Sequence, residues 1–461
     1  MTARSFSSLA LAPEFLENLD NLQYLEMTPI QAQSLPFVLA GKDVKAQAKT
    51  GSGKTAAFGI GLLQKIDPSR FETQALIICP TRELADQVSK ELRRLARPLA
   101  NMKIISLCGG VSYRPQLISL EHAPHVVVGT PGRLLKHLGK DSLKLAAVTT
   151  LVLDEADRML DMGFLDDIKL IIEQCPTERQ TLLFSATYPD EIEKISQSVQ
   201  KDPVTVAVES QHDDSVIKQI FFQVEQGKKT DALMTLLQHY RPESSLIFCN
   251  RKQQCQDLCD ELRRKGFHAL ALHGDMEQKE RDQALVRFAN KSISMLIATD
   301  VAARGLDIKN LPLVVNFELS PDPEVYVHRI GRTGRAGQEG MAISLVADSE
   351  LLKVHHIESF QNSSTQYQTV PTLILTRNTS LIPPMETLSI NSGRKNKLRP
   401  GDILGALTAD QNLAGKQIGK IDIFDFISYV AIERESAKQA LKILNEGKIK
   451  GRKHQVRLCK S

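Results

Sequence analysis

The chain has 461 residues, 42% hydrophobic and 24% charged, with a net charge of +4. That length is too great for one core and suggests roughly three domains at about 150 residues each. No apolar run approaches the roughly 20 residues that span a bilayer, which argues against a membrane protein. From Met1 to Leu19 there is one arginine, with acidic residues soon after and no small-residue cleavage site, so this stretch does not read as a secretion signal. The 7 cysteines are scattered and odd in number, which fits reduced thiols in the cytoplasm. Cys255 and Cys259 sit one helical turn apart, as half a metal site would. No second Cys or His pair at ligand spacing accompanies them, and burial is the better reading.

In chain order, short apolar runs alternate with longer amphipathic stretches. The first set is Ala75-Cys79, Ile104-Leu107, Val126-Val128, Leu151-Leu153 and Thr181-Phe184. After about Gln211 the rhythm restarts with Leu246-Phe248, Ala269-Leu272, Met295-Ala298, Leu313-Asn316 and Ala342-Val346. Such runs predict buried parallel strands in βαβ units, hence an α/β chain with two tandem parallel-sheet domains. The boundaries fall at residues 1–210 and 211–370, near the polar stretch Glu209 to Asp214. The region from Ser349 to Met385 ends in Pro383-Pro384 and reads as a connector, with a linker at 371–385. Residues 386–461 predict a small α+β unit of order βαββαβ: Glu386-Ile390, Pro400-Leu407, Gly419-Ile423, Ser428-Ile432, Ser436-Leu444 and Gln455-Cys459. That order belongs to the ferredoxin-like fold of RNA recognition motifs.

Two segments of the first half carry chemistry. Ala48-Lys49-Thr50-Gly51-Ser52-Gly53-Lys54-Thr55 has the pattern of a phosphate loop. Its glycines let the backbone close on phosphate oxygens, and the helix start behind them adds its positive end. Lys54 should reach the β- and γ-phosphates of ATP, and Thr55 should bind Mg2+. Asp154-Glu155-Ala156-Asp157 ends the apolar run Leu151-Leu153. Asp154 is placed to hold the magnesium, and Glu155 to orient and activate the attacking water. A solvated acidic turn would not explain three carboxylates at the end of a buried strand.

With these motifs in place, residues 20–350 resemble a DEAD-box RNA helicase of superfamily 2. The resemblance implies RecA-like domains, RNA-stimulated hydrolysis of ATP and local separation of RNA duplexes. It implies that Tyr24 stacks on adenine and that Gln31 bonds its edge, although Gln23 stands where the family usually has glycine. Pro80, Thr81, Arg82, Gly109, Gly110, Thr130 and Arg133 resemble the first domain's RNA-backbone contacts. Glycines, hydroxyls and arginines suit phosphate oxygens. Ser185-Ala186-Thr187 resembles the coupling motif that bonds to the Asp154–Asp157 segment. In the second half, Gln278 to Arg281 match a further family motif; Arg281, Thr299, Arg304 and Gly305 are implied RNA-side residues, and Asp307 an implied ribose ligand. His328 would couple the domains. Arg332 and Arg335 would act as arginine fingers, each such group worth about 10³–10⁵ in rate. The site would be complete only when ATP and RNA draw the two domains together.

The tail is basic, with 15 Lys+Arg against 7 Asp+Glu from Asn391 to Ser461, on an otherwise slightly acidic chain. That asymmetry suggests an appended polyanion-binding module. Arg394, Lys395, Lys397 and Arg399 precede its first helix, and Lys448, Lys450, Arg452 and Lys453 its last strand. Of the stacking positions of an RNA recognition motif only Tyr429 is aromatic, and Ile427 stands at the other, which favours binding through loops or an edge. Arg399 to Leu407 and Gly447 to Gly451 resemble the tail of the bacterial DbpA-type group. The resemblance implies recognition of a 23S ribosomal RNA hairpin and a part in large-subunit assembly; the chain is expected to be a monomer. An ATP-locked RNA clamp that separates no strands uses the same motifs, and a strand-displacement assay tells the two apart. A DNA translocase is disfavoured by Gln31 and the Asp-Glu-Ala-Asp form.

Overall fold

Alternation along buried strands decides the architecture. In the first sheet Ala75, Ile77, Val126, Val128, Val152, Leu182 and Phe184 enter one apolar cluster. Their neighbours Leu76, Ile78, Val127, Leu151, Leu153 and Leu183 enter another. A sheet that is apolar on both faces must be covered by helices on both, as parallel sheets are. The computed structural model describes residues 5–48, 51–208, 217–303, 311–334, 339–371, 381–409 and 413–459, and the chain separates after Gln211 into two compact units.

The first unit carries β1 (Val44–Gln47), β2 (Ala75–Ile78), β3 (Ile104–Leu107), β4 (Val126–Gly129), β5 (Thr150–Asp154), β6 (Gln180–Ser185) and β7 (Val204–Ala207). They form one sheet in the order β3-β4-β2-β5-β6-β1-β7, and every pairing is parallel. The second unit repeats the plan with β8 (Ile217–Gln223), β9 (Ser245–Cys249), β10 (Ala269–Leu272), β11 (Met295–Thr299), β12 (Leu313–Asn316), β13 (Gly340–Val346) and β14 (Tyr367–Gln368). Their order is β10-β11-β9-β12-β13-β8-β14.

The apolar-run reading found the central strands and passed over β1, β7, β8 and β14. Val44–Gln47 has Lys45 between its two apolar residues and ends in Gln47, and β7 has Thr205 between its two valines. The presumed connector after Ser349 instead holds the helix Leu351–Gln361 and then β14, which lies against β8.

The second unit also holds a four-stranded antiparallel sheet of order β16-β17-β15-β18, made from β15 (Met385–Ile390), β16 (Ile418–Ile423), β17 (Ser428–Glu433) and β18 (Val456–Leu458). With helices Pro400–Thr408 and Ala437–Glu446 this is the predicted βαββαβ order. Leu388, Ile390, Val430, Ile432 and Val456 point into a core closed by Ile403, Leu407, Ala440 and Leu444.

The opposite face of this small sheet is covered as well. Tyr429 and Cys459 pack against Val286 of the helix Gln278–Ala289. Thr387 Oγ1 bonds to Asn290 and to Ser292 Oγ at 2.8–3.2 Å, and Ser294 Oγ donates to the Leu381 carbonyl at 3.0 Å. Buried hydroxyls and amides with partners of their own fix a register that apolar contact alone would leave loose.

Candidate active site and nucleic-acid interface

In an open parallel sheet the loops beyond the carboxyl ends of the strands form the ligand crevice. Strand order in the first sheet sorts those loops into two groups. The ends of β1, β5 and β6 are neighbours, as are those of β2, β4 and β3.

The first group holds the phosphate loop and the acidic segment. Gly53 caps the helix Lys54–Leu63 with φ 95°, and a Cβ there would lie 2.5 Å from Gln31 Nε2. Only glycine fits that left-handed, crowded position. Gln31 is buried, donates to the Gly53 carbonyl at 3.1 Å and accepts from Thr28 N at 2.9 Å. Lys54 is buried too and donates to the Ala48 carbonyl at 2.9 Å. Ser52 Oγ is buried and has no partner among the described residues. Gly51 and Gly53 flank it, Thr55 follows Lys54 in the helix, and Thr50 lies outside the described residues.

Asp154 ends β5, and its Oδ1 is buried and unpartnered among the described residues. Burial pushes its carboxyl up to about 7 against the pull of Lys54, and Glu155 adds to the rise. Two orphaned oxygens beside a buried lysine and a helix start are what a magnesium–phosphate group requires, so these residues fit that ion. Glu155 takes a left-handed backbone, φ 55°, and pairs with Arg158 at 2.8 Å, both side chains about 5% exposed or less. Asp157 N donates to Ser185 Oγ at 3.1 Å. Asp157 Oδ2 accepts from Ala186 N, Thr187 N and Thr187 Oγ1 at 3.1–3.2 Å. Burial raises the Asp157 carboxyl, but Lys54, Arg158 and the bonds from Ser185 and Thr187 outweigh it and leave it below the usual value. The predicted pairing of the acidic segment with the Ser-Ala-Thr motif is therefore built by four hydrogen bonds.

Tyr24 donates its hydroxyl to Glu91 Oε1 at 2.6 Å and meets Phe6 edge-on. Burial, and then Glu91, raise its phenol well above the ordinary value. Gln23 adopts φ 63°, the conformation a glycine would take freely, and its amide donates to the Asp20 carbonyl at 3.3 Å.

The second group joins residues spread over fifty positions. Thr81 caps the helix Arg82–Leu95 by accepting from Leu84 N, and Pro80 precedes it. A Cβ on Gly110, φ 71°, would lie 2.1 Å from Arg82 Nη1, so glycine lets the guanidinium pass. Arg82 Nε is buried without a partner among the described residues. Gly109 has open space at its Cβ position. Thr130 caps the helix Pro131–Leu138, and Arg133 in its first turn donates to the Val111 carbonyl at 2.9 Å and to Gln116 Oε1 at 2.7 Å.

In the second unit, Thr299 ends β11 and Arg281 bonds to the His273 and Ala302 carbonyls at 3.3 and 3.4 Å. Arg304, Gly305, Asp307 and Arg335 lie outside the described residues. His328 is half-buried and Arg332 is buried. Motif reading passed over the residue between them, Arg329, which is 1% exposed. Its five N–H groups meet five acceptors: both Asp300 oxygens at 2.6 and 2.7 Å, Asn250 Oδ1 at 2.7 Å, Asn316 Oδ1 at 3.2 Å and the Glu318 carbonyl at 2.6 Å. Arg158 was likewise missed. Nothing in its spacing distinguishes either arginine from a surface one.

In the tail the two basic clusters meet. Lys450 Nζ donates to the Lys397 carbonyl at 2.6 Å and lies 3.5 Å from Asp402. Arg394, Lys395, Lys397, Arg399, Lys448, Lys450, Arg452 and Lys453 are all exposed. Tyr429, the one aromatic at a stacking position, is instead 1% exposed beneath Val286. Cys255 and Cys259 prove buried; Cys255 Sγ meets the Ile297 carbonyl at 2.9 Å, and burial lifts its thiol to about 12.

Three family models match the chain: DEAD/DEAH box helicase over residues 28–195, helicase conserved C-terminal domain over 228–337, and DbpA RNA binding domain over 387–458. The chain is 55% identical to the ATP-dependent RNA helicase DbpA of Escherichia coli (strain K12), covering 100% of both. It is 43% identical to the DEAD-box ATP-dependent RNA helicase CshA of Geobacillus kaustophilus, over 80% of this chain and 79% of that one. Among solved structures, S. cerevisiae Dbp5 bound to RNA and ADP BeF3 superposes with a TM-score of 0.73 at 31% identity, over 80% of this chain and 96% of that one. The phosphate loop, the acidic strand end and the basic tail thus have one common account: this chain belongs to the DEAD-box ATP-dependent RNA helicases, and within them to the DbpA type with its own C-terminal RNA-binding domain.

Proposed function

We propose that RNA switches on ATP hydrolysis by this enzyme, and that the tail directs it to a hairpin of 23S ribosomal RNA during assembly of the large subunit. The orphaned Asp154 oxygen is the observation that carries the catalytic part, because a buried unpaired carboxylate oxygen calls for a cation. Asp154, with Thr55, would hold Mg2+, which neutralises developing charge on the phosphoryl oxygens.

Lys54 exchanges the Ala48 carbonyl for phosphate oxygens, and Glu155 orients the attacking water. Gln31 ties the adenine edge to the Gly53 carbonyl, with Tyr24 stacked beside it and Asp307 on the ribose. Arg332 and Arg335 stabilise the transferring phosphoryl group. Asp157, Ser185, Thr187 and His328 couple nucleotide state to RNA. Arg82, Gly109, Gly110, Thr130 and Arg133, with Arg281, Thr299, Arg304 and Gly305, hold a single strand by its backbone. Because ATP and RNA each draw on both parallel-sheet domains, one raises affinity for the other, and the bound strand loses its duplex partner.

The covered sheet face and the joined basic clusters favour recognition through the 394–399 loop and the 448–453 turn. The protein would act as a monomer in the cytoplasm, a compartment that 7 buried free thiols support. One comparison tests the whole reading: ATP turnover with 23S hairpin RNA, unrelated RNA and DNA, for the full chain and for a chain lacking residues 391–461. The hairpin should stimulate most, and the truncation should abolish that preference while keeping general RNA stimulation. Preference that survives truncation removes the tail's role, and equal turnover with and without RNA removes the enzyme's.

A further inference from the structure

Next to the strand-end loops of the first sheet lies an arrangement of which the motifs include only Arg133. Tyr113 opens the helix Tyr113–Leu120, and its ring is stacked on His137 with centroids 4.4 Å apart and planes 22° apart. Around the same ring stand Arg133 at 5.9 Å, Lys136 at 5.3 Å and Lys140 at 5.0 Å. Arg133, Lys136 and His137 lie three or four residues apart on one stripe of the helix Pro131–Leu138, and Lys140 follows just past its C-cap Gly139.

The backing is buried and the rim is exposed. His137 is fully buried between Ser142 Oγ at 2.9 Å and Gln116 Oε1 at 3.0 Å, and Tyr113 Oη also bonds Ser142 Oγ at 3.1 Å. Burial, followed by the charges of Arg133 and Lys136, holds His137 neutral down to about pH 4. Lys136 and Lys140 are exposed, and among the described residues neither is paired with a carboxylate. The nearest acid in sequence, Asp141, is engaged by Lys144.

Crowding three cations around one ring is unfavourable unless an anion joins them. The compensating cation–π contacts return only about 0.5–1 kcal/mol each at exposed sites. A nucleotide offers more, since base stacking on an aromatic ring is worth about 1–3 kcal/mol and its phosphates would engage the freed ammonium groups. Arg133 reaches the Val111 carbonyl, one residue from Gly110, so the patch continues the proposed backbone track.

We propose that Tyr113, Lys136 and Lys140 form an additional nucleotide subsite, taking one base of the RNA strand beyond the Gly109–Gly110 and Arg133 contacts on the Tyr113 ring and its phosphates on the two lysines. This rests on the backbone track of the preceding section. It adds to that track a base contact, which favours single strands because a paired base has no free face to offer.

The test is equilibrium binding of the full chain, with a non-hydrolysable ATP analogue, to uridine oligonucleotides roughly 5 and roughly 15 nucleotides long. Tyr113→Leu should weaken the long strand about tenfold and the short one less than twofold, while Tyr113→Phe matches wild type on both. The double variant Lys136→Gln, Lys140→Gln alters surface positions only. It should flatten the salt dependence of long-strand binding by about 1.4 log units per log unit, at roughly 0.7 per phosphate contact. Equal losses on short and long strands for Tyr113→Leu, or an unchanged salt slope in the lysine variant, would overturn the subsite. Arg133→Gln is the control for the track itself: if it spares both strands, the track is what fails.

Discussion

Two aspartates sit at the ends of buried parallel strands, one in each parallel-sheet domain, and receive opposite treatment. Asp154 closes β5 with one oxygen that nothing among the described residues satisfies, and its carboxyl is pushed up to about 7. Asp300, directly after β11, has both oxygens gripped by Arg329 at 2.6 and 2.7 Å. The same fold thus leaves one strand end unsatisfied, where a cation can repay the cost of burial. At the other it closes a network that fixes the segment leading to His328 and Arg332. Destabilisation is localised at the ligand site, and rigidity at the element that has to present arginines.

The largest effect tests the unsatisfied end. Lys54→Ala should lower RNA-stimulated phosphate release by at least about 10³, the scale of a lost phosphate-stabilising cation. Retention of a tenth of wild-type turnover would mean that the buried lysine only supports the strand. Next in size is the satisfied end. Arg329→Met leaves Asp300 without its partner and should cost about 3 kcal/mol in denaturant unfolding of the second unit, within the range for breaking buried pairs. The double variant with Asp300→Asn should recover part of that. A single variant as stable as wild type would refute the view of Arg329 as the hub.

The smallest effect concerns pH. The native protein keeps the Asp154 proton to about pH 7, whereas the unfolded chain releases its own near pH 4. Asp154 therefore subtracts stability progressively as pH rises through that window, and Asp154→Asn removes the loss. In the nucleotide-free protein the variant's Tm should gain about 2–4 °C on wild type between about pH 5 and about pH 8. A constant difference across that range would show the carboxylate to be better solvated than its burial implies.

The tail repeats the contrast on its two sides. Its loops present eight exposed cations, while its sheet face, the usual platform of its fold, is sealed by Val286, Asn290 and Ser292. The missing aromatic at Ile427 hinted at this from sequence, because a face that stacks no bases is free to pack. The partner of that face could not be read, since the Gln278–Ala289 helix lies about a hundred residues away and looks like any other amphipathic helix.

What the linear order of residues determined was local: which runs are buried strands, where the glycines of the phosphate loop fall, which strand ends in carboxylates, and that the last seventy residues are basic. Each depends on neighbours within a turn or a strand, where periodicity and side-chain chemistry suffice. Tertiary structure alone decided which distant groups satisfy one another. Arg329 with Asp300 and Asn250, Arg158 folded back on Glu155, and Lys450 on the Lys397 carbonyl are pairings chosen by strand order and loop closure. The physical reason is that a buried polar atom must find a partner, but any of many residues can provide it, and only the fold brings one within 3 Å.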